Sequence, residues 1–119
     1  MPDPAATARA RRNKRLGWDS EKRVAKLFGT SRFPANTGGP VDLKPLADGL
    51  HIQVKAGGSM PIATIIDGLD AARRGATDSK GLGACVVEYH RAPRNRTIIC
   101  FDAAEYAAWH GYSSAEDEL

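Results

Sequence analysis

The sequence predicts an α/β domain, and three observations predict it: helical periodicities over residues 18–28 and 61–74, extended apolar segments between and after them, and turn chemistry at the joints. The expected order is αβββαββα. It has a helix near residues 18–28, strands near 31–35, 40–46 and 50–56, a helix near 61–74, strands at 84–89 and 97–101, and a short helix after Asp102.

Each element has a local reason. In the first helix Glu21, Val24, Ala25 and Phe28 share one row. The Asp48-Gly49 pair between extended segments signals a two-residue hairpin turn flanked by Ala47 and Leu50. That register sets Lys44 opposite Gln53 and Asp42 opposite Lys55, with Asp42 and Gln53 as diagonal neighbours about 7 Å apart. In the second of those strands Leu50, Ile52 and Val54 point to one side, and His51, Gln53 and Lys55 to the other. The second helix starts with Pro61 in its first turn, and Gly75 closes it. Its apolar row of Ile62, Ile65, Ile66, Leu69 and Ala72 reads as the face laid on the sheet, with a dimer surface as the other reading. Pro93 and Asn95 mark the turn between the last two strands, and Asp102-x-x-Glu105 opens the last helix as a capping box without the usual hydroxyl.

With 119 residues, 42% of them apolar and 26% charged, there is room for one core. Residues 1–15 read as a disordered basic arm, 16–111 as the single domain and 112–119 as an acidic tail. No apolar run approaches the ~20 residues that span a bilayer, and the basic start lacks the apolar segment of a secretory signal. The expected location is cytoplasmic, in a bacterial or phage-infected host cell, with no membrane partner. Cys85 and Cys100 lack metal or redox spacing and read as buried thiols. His51, His90 and His110 are scattered, and no phosphate-binding loop or dinucleotide fingerprint is present. The net charge of +3 is mild, but Arg9, Arg11, Arg12, Lys14 and Arg15 form a block. Such arms neutralise DNA phosphates or simply keep a tail solvated, and both readings stand.

The chemistry concentrates in Pro40-Val41-Asp42, in Gln53-Val54-Lys55 and in Glu21. A metal-dependent phosphodiesterase needs oxygen ligands for a hard cation and an ammonium beside the attacking water. Singly these residues are unremarkable: Asp42 reads as a turn residue, and Gln53 with Lys55 as the solvated face of a strand. Glu21 reads either as a first-turn carboxylate near the helix dipole or as a core-row carboxylate requiring a partner.

Taken together, Gly17-Trp18-Asp19-Ser20-Glu21, Arg32-Phe33, Thr37-Gly38-Gly39-Pro40-Val41-Asp42 and His51-Ile52-Gln53-Val54-Lys55 resemble the PD-(D/E)XK nuclease superfamily over residues 16–101. Within it they look most like the archaeal-type and phage Holliday-junction resolvases. Gln53 in place of the acid before x-Lys resembles the Mrr-type restriction endonucleases. The resemblance implies a restriction-endonuclease-like αβββαβ core with a mixed central sheet flanked by helices. It implies that Asp42 is the central metal ligand, joined by the Gln53 amide oxygen, the Val54 backbone carbonyl and Glu21, and that Lys55 serves the attacking water. Mg2+ is the implied cofactor and Mn2+ its substitute. The implied partner is DNA, branched or junction DNA above all, held by the arm with Arg32 and Thr37, and the implied assembly is a homodimer. The implied activity is endonucleolytic hydrolysis in recombination, repair or phage replication. A catalytically silent DNA-binding module and an Mrr-like restriction enzyme are the alternatives.

Overall fold

Asp3, Pro4 and the alanines behind them start helix α1, Pro4–Phe28, in the computed structural model, which describes residues 3–33, 43–77 and 80–112. The arm expected to be disordered is therefore helical from Pro4 onward. The Asp3 carboxylate accepts the Ala5 N–H at 3.0 Å, and Pro4 has the helical φ already set. Alanine and arginine are both strong helix formers, so the charge block does not oppose the helix. At the other end Gly29, at φ +71°, lets the chain turn out, and the Thr30 N–H reaches the Ala25 carbonyl at 2.9 Å.

The expected hairpin register is not formed. The Lys44 N–H donates to Ser31 at 2.8 Å, and Arg32 bridges Leu43 in antiparallel sense, so residues 43–44 pair backward to 31–32 rather than forward to Gln53. The Leu46 N–H donates to the Leu50 carbonyl at 2.9 Å, enclosing three residues where a two-residue turn was expected. The cause is local: the Asp48 carboxylate accepts the Leu50 N–H at 3.2 Å and draws the turn around itself. Of the strands expected at 31–35 and 40–46, the Arg32–Leu43 bridge is what the described residues hold; Thr37, Pro40, Val41 and Asp42 lie outside them, as does most of the acidic tail.

Strand β1, Leu50–Gly57, runs parallel to β2, Leu82–Tyr89, in register from Leu50 opposite Leu82 to Gly57 opposite Tyr89. Strand β3, Arg96–Cys100, joins β2 antiparallel, with Cys100 opposite Cys85. The protein is thus a mixed α/β fold whose three-stranded sheet, ordered β1-β2-β3, is flanked by helices. A parallel pair needs a crossover, supplied by α2, Ile62–Thr77. Helix α3, Ala103–Trp109, follows β3; Asp102 caps it through the Glu105 N–H at 3.1 Å, while the Glu105 carboxylate pairs with Arg73 of α2 instead of reaching back to the cap.

Alternation divides the sheet into two faces. Leu50, Ile52 and Val54 of β1 and Leu82, Ala84 and Val86 of β2 bury against Val24 and Ala25 of α1 and against Leu43, with Phe28, Leu46, Phe101 and Tyr106 at the margin. The odd-numbered residues face α2. There the helix comes close because the contacts are small: a Cβ on Gly68 would stand 2.6 Å from the Cys85 sulfur. This closeness explains why the expected apolar row is buried only in part, at Ala72 and partly at Ile65 and Leu69. Gly68, Ala72 and Ala76 are buried, whereas Ile62 and Ile66 are 70% and 49% exposed. Gly75 does not close α2, which continues to Thr77, whose hydroxyl donates to the Arg73 carbonyl at 2.8 Å. Cys85 is buried and Cys100 half-buried, both as free thiols, and burial pushes the Cys100 thiol up.

At Gly83 the helix backbone itself is the neighbour: a Cβ would stand 2.8 Å from the Arg73 nitrogen and 2.9 Å from the Ala72 carbonyl carbon. Gly83→Ala is expected to cost roughly 1–3 kcal/mol. Gly17→Ala, in open space within α1, is expected to be neutral or stabilising by up to ~1 kcal/mol. Thermal unfolding of both variants checks this; a Gly83→Ala protein as stable as its parent would contradict the close packing.

Candidate functional site

Strand β1 places Gln53 and Lys55 two residues apart on the face toward α2. The Lys55 stem runs beneath the helix, its Cε 3.5 Å from the place of a Cβ on Gly68. Gln53 Oε1 is buried and has no hydrogen-bond partner among the described residues. Leaving an amide oxygen in that state costs about 1–3 kcal/mol, so the position favours a partner able to use a bare oxygen. A hard divalent cation uses carbonyl oxygens of this kind. Gln53 therefore suits the cation that the resemblance implies. Val54, between them, turns its side chain into the α1-facing core.

Glu21 is placed differently. Its carboxylate accepts from Arg32 Nε at 2.8 Å, and the Arg32 guanidinium lies 5.4 Å from the Trp18 ring centroid. The row shared with Val24 and Ala25 makes Glu21 part of the α1 layer, over the sheet face opposite Gln53 and Lys55. The described contacts thus bring Gln53 and Lys55 together and hold Glu21 with Arg32 instead. Among the described residues no group of three or more His, Cys, Asp or Glu is placed to hold a metal. Asp42 and Thr37 lie outside those residues. The Lys14 side chain does too, whereas Arg9, Arg11, Arg12 and Arg15 are exposed on α1. Arg11, Arg15, Trp18, Asp19 and Lys22 line a shallow concavity of about 610 Å³ along that helix.

One polar centre was not singled out from the sequence. Glu88, buried on β2 in the face toward α1, accepts from Ser20 Oγ at 2.9 Å and from Arg23 Nε and Nη2 at 2.9 and 2.5 Å, and His90 Nε2 lies 2.7 Å away. Hydrogen bonding to Arg23 holds the Glu88 carboxyl below the usual range; burial opposes this, and Ser20 reinforces it. Arg23 is raised in return. A signal existed: Glu88 alternates with Ala84 and Val86, and a carboxylate on an apolar face needs a partner. The cluster locks α1 to the end of β2.

Because its pKa is lowered from 4.5, Glu88 stabilises the fold fully above that value and loses the contribution as the pH falls through the folded-state pKa. Glu88→Gln is expected to cost about 1–2 kcal/mol at neutral pH, since Arg23 is largely exposed. Urea unfolding at several pH values should show the gap between parent and variant narrowing below pH ~4. A gap independent of pH would contradict the ion pair. In comparisons with protein-family models, curated proteins and solved structures, nothing matches this chain.

Proposed function

We propose that this protein is a metal-dependent DNA endonuclease of the PD-(D/E)XK type, cutting branched DNA as a homodimer in recombination, repair or phage replication. The observation that supports it most is the buried, unpartnered oxygen of Gln53 on the same strand face as Lys55. The order of elements is compatible with an αβββαβ core in which the Arg32–Leu43 bridge takes the place of the first two strands.

Gln53, Asp42 and the Val54 carbonyl are the residues that would hold Mg2+, or Mn2+ in its place; Glu21, paired with Arg32 over the opposite face of the sheet, would join them only after leaving that pair. Bound there, the cation supplies a water of lowered pKa and polarises a phosphoryl oxygen. Lys55 brings an ammonium to the phosphate and stabilises the charge that develops on its oxygens. Gln53 is neutral, so it orients without adding the negative charge an acid would bring, and metal affinity is lower than in an acid-containing site. The α1 arginines hold backbone phosphates without reading sequence. The Glu21–Arg32 pair favours the second reading, a silent DNA-binding module, because it occupies the helix carboxylate.

A labelled four-way junction and a linear duplex of matched sequence, incubated with magnesium or with chelator, separate these readings. Paired, metal-dependent nicks near the branch are expected, with Lys55→Ala slower by roughly 10²–10³-fold. Equal cleavage of both substrates would indicate an Mrr-like or general nuclease. Binding without cleavage in magnesium or manganese would establish the silent module.

A further inference from the structure

The turn between β2 and β3 holds His90, Arg91, Arg94 and Arg96 within seven residues and no acid. All four side chains are exposed, and among the described residues Arg91, Arg94 and Arg96 form no ion pair. Like charges so close together repel, which opposes an ordered turn unless something outside it gains. Yet the turn is pinned: the Arg94 N–H donates to the Arg91 carbonyl at 2.8 Å and the His90 N–H to the Gly57 carbonyl at 2.9 Å. Gly57 is two residues past Lys55, so the cations stand at the end of the sheet where Lys55 leaves it.

Helix α1 reaches the same end. Ser20 and Arg23 meet Glu88 near the exit of β2, while Val24 and Ala25 lie deeper in the core, so the helix upstream of Ser20 runs out beyond the strand ends. Steps of three or four residues put Arg9, Arg12, Leu16, Ser20 and Arg23 on one stripe, the side that faces Glu88. From Arg9 to Arg23 that stripe spans about 21 Å, the length of about six base pairs. Most of it has no packing partner, and the 65 Å long axis of the molecule agrees with a projecting helix.

We infer that the β2–β3 turn and the Arg9–Arg12 side of α1 form a two-sided cleft that grips the phosphate backbone of duplex DNA at the strand-exit end. The inference rests on the DNA reading above and extends it to Arg91, Arg94 and Arg96, which hold the duplex beside Lys55. The cleft is basic on both walls, as a paired phosphate backbone requires; Tyr89 borders Arg91 and Arg94, so tighter binding of a labelled single strand of the same sequence would overturn the duplex assignment.

Fluorescence anisotropy of a labelled duplex in chelator, over a salt series, tests the cleft without needing catalysis. Replacing Arg91, Arg94 and Arg96 together by Ala should weaken binding by more than tenfold at moderate salt and reduce the slope of log K against log salt by about 2–3, near 0.9 per lost contact. The corresponding triple Lys variant should keep the parental slope and so exclude misfolding as the cause. An unchanged slope in the Ala variant overturns the cleft while leaving cleavage and the nuclease reading intact. Failure of the parent protein to bind duplex overturns it outright, and tighter binding of labelled polyglutamate than of duplex would reassign the surface to an acidic protein. Binding as expected with no cleavage anywhere would uphold the cleft and defeat the nuclease reading alone.

Discussion

Parallel pairing between β1 and β2 is the constraint on which the other features hang. Two parallel neighbours cannot be joined by a tight turn, so the chain must cross over the sheet, and α2 makes that crossing. The crossing is close only because Gly68, Ala72 and Gly83 leave room for it. With the register fixed, alternation follows. Ile52, Val54, Ala84 and Val86 bury beneath α1, and Gln53, Lys55 and Cys85 face α2. A slip of one residue would exchange the two sets and put the lysine into the core.

The same register puts Glu88 beneath α1 at the sheet's exit end. Burying that carboxylate is unfavourable in isolation, but Arg23, Ser20 and His90 surround it at the strand-exit margin. The ion pair fixes where α1 leaves the sheet. It therefore determines where the cationic half of the helix projects. Electrostatics within the fold and electrostatics offered to a partner meet at one point, the end of the sheet where β1 and β2 finish.

Legibility in the sequence differed by element for physical reasons. Strands β1 and β2 and the start of α2 were readable because period, β-branched content and Pro61 agree. The N-terminal half of α1 was not, since a run of arginines reads as solvated tail; Asp3-Pro4 followed by alanines was the overlooked start signal. The buried face of α2 was read only in part: Ala72 is buried as expected, but hydrophobicity favours isoleucines such as Ile62 and Ile66, whereas close approach to a sheet favours Gly68 and Ala76. The hairpin register failed because Asp48 holds its own turn, something a dipeptide signal does not encode. In the candidate site, Gln53 and Lys55 were correctly placed on one face by alternation. The partners of Glu21 and Glu88 were not readable, because Arg32 and Arg23 reach them through tertiary packing.

The central proposal is that strand β1 offers a hard-cation site at Gln53. Paramagnetic broadening by Mn2+ in a ¹⁵N-labelled sample tests it most directly. At substoichiometric metal the account predicts selective loss of the Gln53 side-chain amide and of the Val54 and Lys55 backbone signals, reversed by chelator. Intact Gln53 signals, with broadening absent or confined to Glu88 and the acidic C-terminal residues, would contradict it.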